Sequence, residues 1–192
     1  MNLQRNSINQ SLENIREEES TDLIDMQAFS KDNHGIKYLL TVIDIFSKFV
    51  WIVSLKRKTG QEVANAFSRI LKEQRPSKMW VDHDREFYNK DVQKLVELYS
   101  TENEEKSDVI ERVNKTIKEK MFKYISANYT RKCIDILDVL VDQYNNTTQS
   151  SIKMTAKEAS RKETKIKCGE IYIQNLAVRT WLQNFRLAIM LE

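Results

Sequence analysis

The hydrophobic pattern divides the chain into a strand-rich first half and a helix-rich second half. Residues 1–19 are polar and end in Glu17-Glu18-Glu19, which reads as a polar leader. TDLIDMQAF (21–29) then carries Leu23, Ile24, Met26 and Phe29 and predicts a strand. KDNHG (31–35) is turn chemistry, with Gly35 as the hinge. YLLTVIDIF (38–46) and KFVWIVSL (48–55) are two long apolar runs separated only around Ser47. They predict an antiparallel hairpin covered on both faces.

Thr59-Gly60-Gln61-Glu62 has the spacing of a capping box. Val63, Ala66, Phe67, Ile70 and Leu71 follow at helical spacing, and Arg75-Pro76-Ser77 stops that helix. KMWVD (78–82) reads as a short strand ending on an acid, and 89–97 as a short helix. Ser107 is placed to cap a longer helix, with Ile110, Val113, Ile117, Met121 and Tyr124 as its apolar stripe. Thr130 is placed to cap another, with Ile134, Leu137, Val141 and Tyr144 inward and Asn145-Asn146 at its end. Beyond residue 150 the patterning weakens. Three strands, a crossover helix and a further strand make the strands joined by the helix parallel.

Composition narrows the class. The chain has 192 residues, 41% hydrophobic and 31% charged, the range of a globular domain. Three Gly and one Pro leave few turns dictated by those residues. The longest pure apolar run in the first half, Phe49 to Val53, is far too short to cross a bilayer. Cys133 and Cys168 are isolated, as are His34 and His83, so no zinc-site spacing exists and a reducing, intracellular setting is expected. Net charge is only +3, but residues 106–132 hold eight basic side chains against three acidic ones. Such a stretch suits phosphates or a solvated helix face about equally.

The candidate chemistry is three acids on different elements: Asp22 in the first strand, Asp82 at the end of the fourth, and Glu111 in an early turn of the long helix. Hard oxygen donors of this kind suit Mg²⁺ or Mn²⁺, and a pair of such ions can activate a nucleophile on a phosphodiester. Taken bare, three acids among 28 carry little weight. Lys115 and Lys118 lie four and seven residues after Glu111, on one helix face with it.

The surroundings add specificity. DLIDM, KYLLTVIDIFSKFVWIVSLKRKTGQEV, WVDHDREFYN, LYSTENEEKSDVIERVNKTIKEKMFKY and YNNTTQSSIKMTAKEAS occur in this order. Over residues 20–160 they resemble the catalytic core of transposable-element and retrovirus-like integrases of the DDE type. The resemblance implies an α/β, RNase H-like fold: a mixed five-stranded sheet flanked by helices. It implies Asp22, Asp82 and Glu111 as catalytic metal ligands, two Mg²⁺ (or Mn²⁺) ions at that site, and DNA strand transfer as the activity. Asp25 is the rival to Asp22 for the first acid. Arg112, Asn114, Lys115 and Lys118 are the implied DNA contacts. A homo-oligomer acting on DNA in the nucleus, with no membrane association, completes that expectation. A catalytically degenerate DNA-binding or dimerising remnant, and an RNase H-like nuclease, are the alternatives.

Departures from the pattern are specific. Only 28 residues separate Asp82 from Glu111, so the helix or the fifth strand between them must be truncated. Asp84 stands where the family has Gly, and Ala156 where it often has Pro. The zinc-binding and small-barrel domains of full integrases are not in this sequence, and the resemblance stops near residue 161, leaving 161–192 as a tail.

Overall fold

The computed structural model describes residues 18–73, 78–81, 90–95, 97–99, 104–161 and 164. Its strands are β1 (Glu18–Asp25), β2 (Tyr38–Asp44), β3 (Val50–Leu55), β4 (Lys78–Val81), β5 (Glu97–Tyr99), β6 (Thr148–Gln149) and β7 (Met154–Thr155). Its helices are α1 (Gly60–Glu73), α2 (Lys90–Gln93), α3 (Glu104–Ala127), α4 (Leu137–Asn145) and α5 (Ala156–Ala159). The main sheet runs β3-β2-β1-β4-β5, and β6-β7 form a separate ribbon. β1 pairs antiparallel with β2 and parallel with β4, so it lies at the centre. The segment before α3 holds a one-turn helix and a three-residue strand, each near the shortest form of its kind.

β1 starts earlier than the polarity of 1–19 suggests. Glu18 and Glu19 already belong to the strand. Glu19 is 2% exposed, with Asp44 opposite on one side and Met79 on the other. Two-sided pairing at the sheet centre, rather than the apolarity of the residue, buries it. The strand also ends before the expected 29. Asp25 accepts from the Gln27 backbone N–H at 2.8 Å, and a 3-10 turn runs from Gln27 to Asp32. Gly35, with φ of 76°, turns the chain back, its N–H bonded to the Ser30 carbonyl at 2.9 Å.

Side chains alternate across the sheet. On one face Leu40, Val42 and Leu55 pack against Val63, Ala66, Phe67 and Ile70 of α1. On the other, Ile24, Leu39, Ile43 and Val50 pack against Ile110, Val113, Ile117 and Met121 of α3 and Leu137, Leu140 and Tyr144 of α4. β2 is buried on both faces, as read from its sequence. β3 is not, because it is an edge strand: Trp51, Ile52 and Val53 are half-buried and Ser54 is exposed.

The β2–β3 turn closes without glycine. The Asp44 carboxylate accepts from the N–H groups of Phe46 (3.0 Å) and Ser47 (3.4 Å). Lys48 takes a left-handed φ of 62°, and its ammonium donates to the Ile45 carbonyl at 2.6 Å. The capping box at Thr59 is half formed. Thr59 accepts weakly from the Glu62 N–H at 3.4 Å. The Glu62 carboxylate reaches instead to the N–H groups of Lys56 (3.1 Å) and Arg57 (2.9 Å). A complete box occurs at Thr155 and Glu158, starting α5.

Two further expected caps are displaced. α3 begins at Glu104, three residues before Ser107. Thr130 accepts from Lys132 N–H at 3.1 Å and caps no helix, since a 3-10 turn at Ile134–Ile136 leads into α4. Two buried asparagines hold this region. Asn33, 1% exposed, donates to the carbonyls of Phe29 (2.7 Å) and Arg131 (2.8 Å), and accepts from the N–H groups of Cys133 (2.7 Å) and Ile134 (2.9 Å). That uses every hydrogen-bonding position of its amide. Asn145 on α4 pairs with both backbone groups of Val50, at 2.9 Å each. Its amide stands in for a neighbouring strand at the open edge of β3.

Candidate active site

Alternation along β1 decides which acid meets α3. Ile24 packs on the α3 face and Leu23 on the α1 face. Asp22 therefore shares the α3 face, and Asp25 the opposite one. Asp22 is half-buried. One carboxylate oxygen accepts from the Leu23 backbone N–H at 2.7 Å, and the other from the Asn114 side-chain amide at 2.7 Å. Asp25 is exposed, and both its oxygens are engaged by Gln27, from the backbone N–H and from the side-chain amide at 3.0 Å. Its role here is to start the turn.

Asn114 is a correction to the sequence reading. It is 4% exposed and turned to Asp22, not set on the outer face with Lys115 and Lys118. The cause is helical geometry: Asn114 is four residues after Ile110 and three before Ile117, so it falls on the margin of the buried stripe. That spacing was the available signal. Its Oδ1 has no hydrogen-bond partner among the described residues, and neither has Oγ1 of Thr41, which lies directly across from Asp22 in the β1–β2 register and is fully buried.

Glu111 is exposed on α3, one turn before Asn114 and about 60° around the helix axis. Arg112, Lys115 and Lys118 are exposed as well. Arg112 lies near enough to α4 for its charge to act on the Tyr144 phenol, although burial dominates there and pushes that phenol up to about 12. The expectation at Asp82 lies outside the described residues, as does the isolated His83. Val81 is described, and its backbone pairs with Thr21, the residue before Asp22. Asp44 is buried inside its turn, and Trp51 packs at the margin of the α1-face core.

Among the described residues, no three His, Cys, Asp or Glu side chains are grouped so as to hold a metal ion. Asp22 and Glu111 supply oxygen donors only, which is the chemistry of a hard divalent cation. No helix among the described residues is long and apolar enough to cross a membrane.

No family model matches the chain. A transposon-derived, uncharacterised protein of Caenorhabditis elegans is 37% identical over 134 residues, 66% of this chain. The chain spans about half (47%) of that relative's length. Two solved structures share the fold. The structure of the simian T-cell lymphotropic virus intasome in complex with the PP2A regulatory subunit B56 gamma matches with a TM-score of 0.64 and 20% identity, over 74% of this chain and 53% of that one. The HTLV-2 integrase catalytic core domain in complex with magnesium, a trimeric form, matches with a TM-score of 0.63 and 16% identity, over 76% of this chain and 97% of that one. The chain thus resembles a transposon-derived protein in sequence and has the fold of a retrovirus-like integrase catalytic core.

Proposed function

We propose that this chain is a transposable-element-derived integrase core that binds DNA and carries out metal-dependent strand transfer. The observation that carries the proposal is the hydrogen bond from Asn114 to Asp22. It fastens the helix bearing Glu111 to the strand bearing Asp22. The β1–β4 ladder supports the remaining acid, since Thr21 and Val81 are paired and Asp82 is one peptide bond beyond Val81.

In this reading Asp22, Asp82 and Glu111 hold Mg²⁺ or Mn²⁺. When bound, such ions polarise the scissile phosphate and lower the pKa of the attacking hydroxyl. Asn114 fixes the orientation of the Asp22 carboxylate. Lys115 and Lys118, on the exposed side of α3, grip phosphates beside the cut. The integrases of similar fold were solved as an intasome and as a trimeric form, and we extend this to a homo-oligomer for this chain.

The test uses the full chain, a labelled DNA end, a target plasmid and Mg²⁺ or Mn²⁺, beside an Asp82→Asn control. Joined product from the unaltered chain alone is the expected result. Cleavage without joining would assign a nuclease. DNA binding without chemistry in either metal would leave a non-catalytic remnant, the reading that the short interval between Asp82 and Glu111 favours.

A further inference from the structure

We propose that Thr41 is a positioning residue of the candidate site: its hydroxyl and Asn114 Oδ1 share one buried water, and this link fixes the amide that holds Asp22. The inference rests on the reading that Asp22 is a metal ligand. It deepens that reading by adding a residue of β2.

The fold sets Thr41 beside that amide. Thr41 lies directly across from Asp22 in the β1–β2 register, and opposite residues of an antiparallel pair share a face with Cβ atoms about 4.5–5.5 Å apart. Leu39 and Ile43, two residues to either side, pack in the cluster that contains Ile110, Val113 and Ile117 of α3. Thr41 therefore points to the face that carries Asp22 and meets α3. Asn114 stands between Ile110 and Ile117 on that helix and donates to Asp22 at 2.7 Å. Thr41 is fully buried, and Asn114 is 4% exposed.

The chemistry of the amide determines which atom is left over. The Asp22 carboxylate is an acceptor, so only the NH₂ end of Asn114 can face it. Oδ1 is thereby turned away from the carboxylate into buried surroundings, and it has no hydrogen-bond partner among the described residues. Thr41 Oγ1 is buried and has none either. The two atoms adjoin the same carboxylate but do not bond each other. The Thr41 carbonyl is served separately, by the Thr21 hydroxyl at 3.0 Å. A single water that donates to Asn114 Oδ1 and bonds the Thr41 hydroxyl satisfies both atoms, and buried waters are held by two to four partners of this kind. Valine would fill the same volume and suit the strand as well without burying a hydroxyl.

The link acts on Asp22 through Asn114. An amide that accepts at Oδ1 is a stronger donor at Nδ2, because hydrogen bonds in series polarise one another. The same bond prevents the amide from rotating, which keeps its NH₂ end on the carboxylate.

The first test uses NMR on the metal-free full chain. The Asn114 side-chain NH₂ should show cross-relaxation with a long-lived bound water. Thr41→Val should shift the Asn114 side-chain resonances, and Thr41→Ser, which keeps the hydroxyl, should leave them nearly in place. Mn²⁺ binding is then read by electron paramagnetic resonance, with thermal melting to match folded fractions. Thr41→Val should weaken it roughly tenfold, the low end for groups that orient a metal-binding carboxylate, and Thr41→Ser by less than roughly threefold. In an Asn114→Ala background Thr41→Val should weaken it no further, since its effect passes through Asn114. Equal weakening in both backgrounds, or unshifted Asn114 resonances in Thr41→Val, would overturn the link. So would the lack of a bound water beside Asn114 in the unaltered chain, a measurement that needs no variant to fold. No Mn²⁺ binding by the unaltered chain would overturn the metal reading alone, and the NMR result would still decide the link.

Discussion

The Asn114 amide donates to the Asp22 carboxylate at 2.7 Å, across 92 positions of sequence. This contact joins the central strand to the long helix. Groups that orient a metal-binding carboxylate typically contribute 10–100-fold to activity or metal affinity. Asn114→Ala should therefore lower strand transfer by roughly 10–100-fold and raise the Mg²⁺ concentration giving half-maximal rate. Asn114→Asp should be worse, because it sets a second carboxylate against the first. A magnesium titration of initial rates checks both, and unchanged magnesium dependence in Asn114→Ala would deny Asn114 this role.

The opposite faces of Asp22 and Asp25 separate their roles. Asp22→Asn should abolish strand transfer. Asp25→Asn should keep activity within roughly threefold and stability within about 0.5 kcal/mol, since an asparagine oxygen can still accept from Gln27. The comparison is made by joining assays with both variants at matched folded fractions. Loss of activity in Asp25→Asn alone would reverse the assignment.

Asn145 closes the outer edge of β3 at Val50. Removing its amide leaves a backbone N–H and a C=O without partners in a buried setting, at about 1–3 kcal/mol for each group. Asn145→Ala should destabilise the fold by about 2–4 kcal/mol, measured by urea unfolding. A loss below about 0.5 kcal/mol would show that water replaces the amide.

Glu62 predicts an acid dependence. The Arg57 backbone N–H above all, joined by the Arg57 side chain and the Lys56 N–H, holds its carboxyl below the usual value, against the opposing effect of burial. A lowered folded-state pKa contributes stability above the unfolded value, and that contribution is lost as pH falls through the folded value. The melting temperature of the unaltered chain should exceed that of Glu62→Gln at neutral pH. The gap should close as pH falls through the carboxylate range below about 4.5. A gap independent of pH would assign the effect to shape, not charge.

Much of this architecture was legible in the sequence because periodicity reports burial. The runs at 38–46 and 48–55 became β2 and β3, and the stripes of α1 and α3 became the two layers of the core. What stayed hidden were polar residues buried by pairing. Glu19 reads as leader until two strands flank it. Asn33 and Asn145 read as turn and helix-end residues, because nothing local shows that their partners come from about a hundred positions away. Asn114 was grouped with Lys115 and Lys118 as an expected DNA contact by its motif, although its spacing from Ile110 and Ile117 pointed inward. The acids themselves were named from a resemblance, and the face of Asp22 follows from strand alternation.

The central place of β1 also bears on the order of assembly. Its antiparallel partner β2 is near in sequence, its parallel partner β4 lies across a helical crossover, and Asn114 is more distant still. Contacts between distant segments carry the larger loop-closure entropy and tend to form late. The β1–β2–β3 meander can thus set its register while the acids are still apart. Substitutions in the β2–β3 turn should then slow folding, and Asn114 substitutions should mainly speed unfolding, in stopped-flow chevrons. A nascent chain with this order would bring Asn114 to Asp22 only after nearly all of the sheet had closed.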